Sequence, residues 1–199
     1  MPAGRPREFD VEAGLDAALR VFWRQGYAGA ALTDLTEAVG INRPSLYAAY
    51  GNKAELFRRA LEHYSVHYAT HMSEALAQST AREVVEVFLR GAVRVTTAKG
   101  CPRGCLGVQG ALVAGPENEE IREALAGWRR DGEVALRERF RRARRAGELP
   151  STVEPGDLAR YVGAVAFGVS VQAAGGASRA QLERVVELTL RAWDGMVSG

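Results

Sequence analysis

GYAGAALTDLTEAVGINRPSLYAAYGNK, residues 26–53, is the stretch whose reading decides the fold. Leu32, Leu35 and Val39 share one face of a short amphipathic helix over about 32–39, and Gly40 interrupts it. Ile41 and Leu46 secure the turn and a second short helix over about 43–50, leaving room between the two for a tight turn and nothing more. That is the form of a helix-turn-helix, in which the first helix braces the second so that its N-terminal half enters a DNA major groove. The residues left facing outward are Asn42, Arg43, Pro44, Ser45, Tyr47, Ala48 and Ala49. Asn, Arg, Ser and Tyr donate to phosphate oxygens or base edges. Pro44 falls in the first helical turn, where its missing N–H costs nothing. Lys53, at the start of the next helix, is placed for a phosphate. Arg5 and Arg7, on an irregular leader, are placed for an adjacent minor groove. A helical hairpin with structural turns and no DNA role shares this pattern, so the pattern alone leaves both readings open.

Outward from this core the chain reads as all-α, with about nine helices. Val11, Leu15, Ala18, Leu19 and Phe22 follow the helical period, with Asp10 as N-cap and Gly26 as stop. Asn52 with Glu55, Thr80 with Glu83 and Ser178 with Gln181 are capping boxes. The first opens a helix over about 53–77, on the stripe Phe57, Leu61, Tyr64, Tyr68 and Met72. Another helix over about 117–146 carries glutamates at its start and arginines near its end, matching the helix dipole. Two more follow over about 156–174 and 179–197. We expect residues 1–55 to form a three-helix DNA-binding domain and residues 56–199 a larger domain, joined rigidly through the helix after Lys53.

A net charge of +2 on 199 residues says little about nucleic acid. Residues 1–60 hold eight Lys/Arg against seven Asp/Glu, so a DNA footprint must come from where charges sit. Hydrophobic content of 47% suits a folded globular chain. Pro2 to Asp10 is polar, and the apolar run Tyr161 to Ala174 is too short to span a bilayer. With two cysteines, we expect a cytoplasmic protein with no disulfide framework and no membrane partner.

Gly26-Tyr27, Asp34-Leu35, Val39-Gly40-Ile41, Ser45-Leu46-Tyr47, Tyr50 and Lys53 to Leu56 resemble the N-terminal signature of TetR-type transcriptional regulators. The resemblance covers about 50 residues; beyond them only helix count and order agree. It implies a DNA-binding domain joined to an effector-binding and dimerisation domain, and repression that a small molecule relieves. It also implies DNA contacts at Thr33, Asn42, Arg43, Pro44, Ser45, Tyr47, Tyr50 and Lys53. The partner is then a near-palindromic double-stranded operator, with no cofactor required. The family pairs its last two helices in a four-helix dimer interface, which carries over to Gly163, Gly168, Val186, Leu190 and Trp193. One departure is informative: Ala30-Ala31 stand where the family has a Thr pair whose second member caps the helix and touches a phosphate. Without that cap the helix forgoes about 1 kcal/mol.

Cys101-Pro-Arg-Gly-Cys105 is the most unusual feature outside the motif. Arg103 and a following helix N-terminus would lower the Cys105 pKa and make it a redox, electrophile or metal trigger. Its Gly-Cys-Leu turn resembles electrophile-sensing TetR-type proteins and a copper-responsive one. A buried Cys105 packing as a small apolar residue is the alternative. His63, His67 and His71 recur every four residues, a spacing that suits a metal but is commonly a solvated or pocket face. Tyr64, Tyr68, Phe88, Gln109, Trp128 and Phe167 are candidate lining for an effector pocket. The arginines from Arg129 to Arg145 alternate with Glu133 and Glu138 and read as a solvated face rather than a second DNA patch. A helical enzyme using Cys105 and a histidine is the alternative from another class.

Overall fold

The computed structural model describes residues 9–113 and 118–197. Among them are ten helices and no strand: α1 (Val11–Gly29), α2 (Leu32–Val39), α3 (Arg43–Tyr50), α4 (Lys53–His67), α5 (His71–Leu76), α6 (Ala81–Thr96), α7 (Leu106–Val113), α8 (Glu119–Arg145), α9 (Pro155–Ala174) and α10 (Arg179–Val197). The caps follow the local sequence. Asp10 accepts from the Glu12 and Ala13 N–H groups at 3.0 Å each. At the start of α4, Asn52 accepts from the Glu55 N–H at 2.9 Å and Glu55 answers at 2.8 Å. The boxes at Thr80 and Ser178 are formed in the same way. Gly26 (φ 70°) ends the regular run of α1 before a last turn to Gly29.

The tenth helix arises where one helix over about 53–77 was expected. The chain breaks between His67 and His71 and α5 folds back against α6. Two tertiary contacts hold the break. Tyr68 donates to Asp16 at 2.5 Å and accepts from Arg20 at 2.8 Å, pinning the end of α4 to α1. Gly91 on α6 leaves room for His71 at the start of α5; a Cβ there would run into the His71 side chain.

Two apolar clusters form the core. The first joins Leu19, Phe22, Leu35, Leu46, Phe57 and Tyr64 of α1–α4 and continues into Cys105, Leu106, Ile121 and Leu125. The second holds α5, α6, α9 and α10 around Leu136 and Phe140 of α8. Each fully buried Leu or Phe contributes roughly 1.5–3 kcal/mol. The helix-turn-helix core therefore merges with α7 and the start of α8, and the division expected at residue 55 falls inside α4.

Candidate nucleic-acid interface and adjoining cavity

Gly40 turns the chain between α2 and α3 with φ 77°, a backbone that side-chain-bearing residues rarely adopt, and its N–H bonds Thr36 O at 2.9 Å. Leu35, Leu46 and Tyr50 are buried beneath the motif. Asn42, Arg43, Pro44 and Ser45 are exposed at the head of α3, with Tyr47 half-buried beside them. The Asn42 carbonyl oxygen caps α3 by accepting from the Ser45 N–H at 2.9 Å, which leaves its NH₂ for a partner. The Arg43 guanidinium lies 5.4 Å from the Tyr47 ring centroid, and its Nε donates to the Tyr47 hydroxyl at 3.3 Å. The two side chains are thus pre-ordered as a unit on the outer face. Thr33 is exposed at the first turn of α2. Lys53 Nζ sits 4.5 Å from the Tyr27 ring centroid, and partial burial lowers its pKa. Arg5 and Arg7 lie outside the described residues.

Tyr50 corrects one expectation. It is fully buried, its ring packs edge-on against Phe9, and its hydroxyl donates to Val11 O at 2.7 Å. Although it lies less than one turn from Tyr47, its hydroxyl is used on α1, so Tyr50 ties α3 to α1 and presents no donor outward.

The segment from Gly100 to Cys105 lies against this domain. Arg20 donates to Gly100 O at 2.9 Å and Trp23 Nε1 to Gly104 O at 3.0 Å, so α1 grips both ends of the turn. Arg103 points away, to Ala173 O at 2.9 Å and to Ala177 O at the end of α9. The expected lowering of the Cys105 pKa is therefore overturned. Cys105 is buried, and burial pushes its thiol up, against smaller opposing contributions from Tyr64 and the backbone of α7. Cys101 is a half-buried free thiol.

Behind Cys105 opens a cavity of about 720 Å³ between α4–α6 and α7–α9, within the usual size of small-molecule sites. Of the candidate lining residues, Tyr64, Phe88, Trp128 and Phe167 border this cavity. Tyr68 does not, being held by Asp16 and Arg20. Nor does Gln109, whose side chain donates to Arg103 O at 3.2 Å. His71 does line it: its ring stacks on Phe88 at 5.3 Å, and burial with nearby Arg94 lowers its pKa to about 4. The histidine row is split by the break after α4. His63 and His67 lie with tilted rings 4.2 Å apart while His71 leaves for α5. No group of three or more potential metal-binding side chains exists among the described residues.

The arginine-rich helix departs from a uniform solvated face. Arg139 is buried and donates to Gln78 O and Ser79 O, whereas Arg129 lines the cavity. No residue spacing distinguished Arg129 in advance; the position of Gly107 O, which its Nη1 reaches at 2.9 Å, does so.

The expected dimer face is also corrected. Val186, Leu190 and Trp193 are buried inside their own chain, with Trp193 against Phe140 at 5.4 Å, because α10 turns that face onto α6 and α8. Gly163 and Gly168 are half-exposed, and Gly163 lines the cavity. The large apolar residues left exposed on the last two helices are Tyr161, Val171, Leu188 and Met196.

Comparison with known proteins agrees with this architecture. The family described as "Bacterial regulatory proteins, tetR family" matches residues 15–60, and "Tetracyclin repressor-like, C-terminal domain" matches residues 81–189. The HTH-type transcriptional repressor ComR of Escherichia coli (strain K12) is 31% identical over 196 residues, 98% of this chain and 93% of that protein. A cysteine-substituted form of the TetR family transcriptional regulator CifR, solved with a 26-bp double-strand operator DNA, is 44% identical with a TM-score of 0.89. That match covers 95% of this chain and 100% of the other. Reduced E. coli NemR, 21% identical with a TM-score of 0.75 over 89% of this chain and 94% of its own, shares the fold. The conclusion is plain: this chain belongs to the tetR family of bacterial regulatory proteins, a DNA-binding regulator of transcription built on a helix-turn-helix and not an enzyme.

Proposed function

We propose that this protein is a cytoplasmic homodimeric repressor that holds a near-palindromic operator and leaves it when a small organic effector enters the cavity. The observation that carries the reading is the exposed head of α3, where Asn42, Arg43, Ser45 and Tyr47 present donors on a helix braced from behind. CifR, similar over nearly the whole chain, is bound to operator DNA in its structure, and ComR is a repressor. A two-fold dimer through the uncovered faces of α9 and α10 would set two α3 helices about 34–36 Å apart, one turn of DNA. The grip of Arg20 and Trp23 on the segment between Gly100 and Cys105 gives the cavity a direct mechanical link to the DNA-binding domain. By linkage, operator and effector then weaken each other's binding by the same factor. Burial keeps Cys105 in its thiol form, which favours a non-covalent effector over a redox or metal switch at Cys101 and Cys105.

The test is fluorescence anisotropy of the protein on DNA from upstream of its own gene. Tyr47→Ala should abolish operator binding while circular dichroism and oligomeric state stay unchanged. Wild-type affinity in that variant would remove α3 as the reading helix.

A further inference from the structure

Among the described residues Arg129, Arg130, Arg142 and Arg145 of α8 have no carboxylate at ion-pair distance, and of these Arg129 alone is drawn out of solvent. Along α8, Arg122, Arg139, Arg141 and Arg144 each lie within 4 Å of a carboxylate. Arg129 is half-buried, donates to Gly107 O, and meets no carboxylate at ion-pair distance among the described residues. Arg130 beside it adds a second positive charge, while the nearby Glu133 is taken by Arg160 at 3.0 Å. A guanidinium partly withdrawn from water without a counter-charge is costly, and its planar fork of donors matches a carboxylate.

A second, independent group points to the same place. The Tyr64 hydroxyl is sealed from solvent and has no hydrogen-bond partner in normal geometry. Tyr64, Cys105 and Arg129 line the same cavity, and the Arg129 guanidinium is fixed on Gly107 O in the first turn of the helix that Cys105 precedes. Burial keeps the phenol protonated, hence a donor. Met72, Phe88, Val95 and Leu136 give the wall an apolar stretch, while Asp131, Glu133 and Arg160 also stand in the lining.

We propose that the cavity takes an amphipathic monocarboxylic acid, its carboxylate on Arg129 and the Tyr64 hydroxyl and its hydrocarbon body against Phe88 and Leu136. This rests on the reading of the cavity as the effector site. Of the acids in the lining, Asp131 is exposed and Glu133 is paired with Arg160, so an amine finds no free buried acid, and a neutral molecule leaves Arg129 without a counter-charge.

Isothermal titration of the DNA-free protein with phenylpropionate, phenylpropanol and phenylpropylamine tests it, since the three differ in head group alone. Wild type should bind the acid at least about tenfold more tightly than the alcohol, the range of one charge-assisted hydrogen bond. Arg129→Gln should erase that preference, and Tyr64→Phe should weaken the acid several-fold. Equal binding of acid and alcohol, preference for the amine, or binding of none of the three would overturn the proposal, and the wild-type series decides this even if a variant fails to fold. Operator anisotropy with the same compounds separates the two claims. Acid that binds without releasing DNA leaves the acid site standing and removes effector-driven release. DNA release by the alcohol but not the acid does the reverse.

Discussion

Tyr47 and Tyr50 lie within one turn of α3 and do unlike work. Tyr47 stands with Arg43 on the outer face, whereas Tyr50 is sunk between α3 and α1 with its hydroxyl on Val11 O. Tyr50→Phe removes that hydrogen bond and keeps the ring. It should cost about 1 kcal/mol in urea unfolding and leave operator affinity within error; a large loss of affinity would return Tyr50 to the DNA contacts. His71 gives a pH prediction. Its folded pKa is about 4 against an ordinary 6.5, so on acidification the unfolded chain takes up the proton first. Its contribution is whole above pH 6.5 and falls as pH drops towards 4, with a total on the order of 3 kcal/mol. Unfolding free energies measured across that window should fall more steeply for wild type than for His71→Gln. Parallel slopes would mean that the imidazole already charges in the folded protein.

At the scale of elements, α2 begins without a side-chain cap. The Ala31 N–H reaches Asp34 at 3.4 Å, but no hydroxyl stands at residue 31 to accept from the first turn in return. Ala31→Thr should raise stability by about 0.5–1.5 kcal/mol, read as a shift in thermal midpoint. If the new hydroxyl also meets a phosphate, operator binding tightens and its salt dependence steepens. No gain in either would mean that Asp34 already supplies what the helix start needs. The starts of α4, α6 and α10 were legible because a capping box is a contact between residues three apart, as at Asn52, Thr80 and Ser178. The break between α4 and α5 was not, because Asp16, Arg20 and Gly91 enforce it from distant parts of the chain.

For the whole molecule, the division between inner and outer faces of α9 and α10 decides assembly. Leu188, 60% exposed, belongs to the proposed dimer surface, while Trp193, 1% exposed, belongs to the core. Leu188→Glu should give a folded monomer by sedimentation, with operator affinity down about a hundredfold or more as the two heads lose their linkage. Trp193→Ala should instead cost about 3–5 kcal/mol of fold stability. A Leu188→Glu protein that stays dimeric would move the interface elsewhere.

Local pattern by itself determined the all-α class, the helix-turn-helix, the caps and the outward residues at the head of α3, because each depends on neighbours within a turn or two. The family resemblance assigned Val186, Leu190 and Trp193 to the dimer face, because apolar spacing along a helix does not say which face the chain keeps for itself. Tertiary packing chose, placing Trp193 on Phe140 and leaving Leu188 and Val171 uncovered. The same packing reversed the Cys105 prediction by burying the thiol and turning Arg103 towards the end of α9, and it brought Arg129 and Tyr64 to one cavity from helices far apart in sequence. Burial and counter-charge belong to a position in space, and that position exists only once the helices have met.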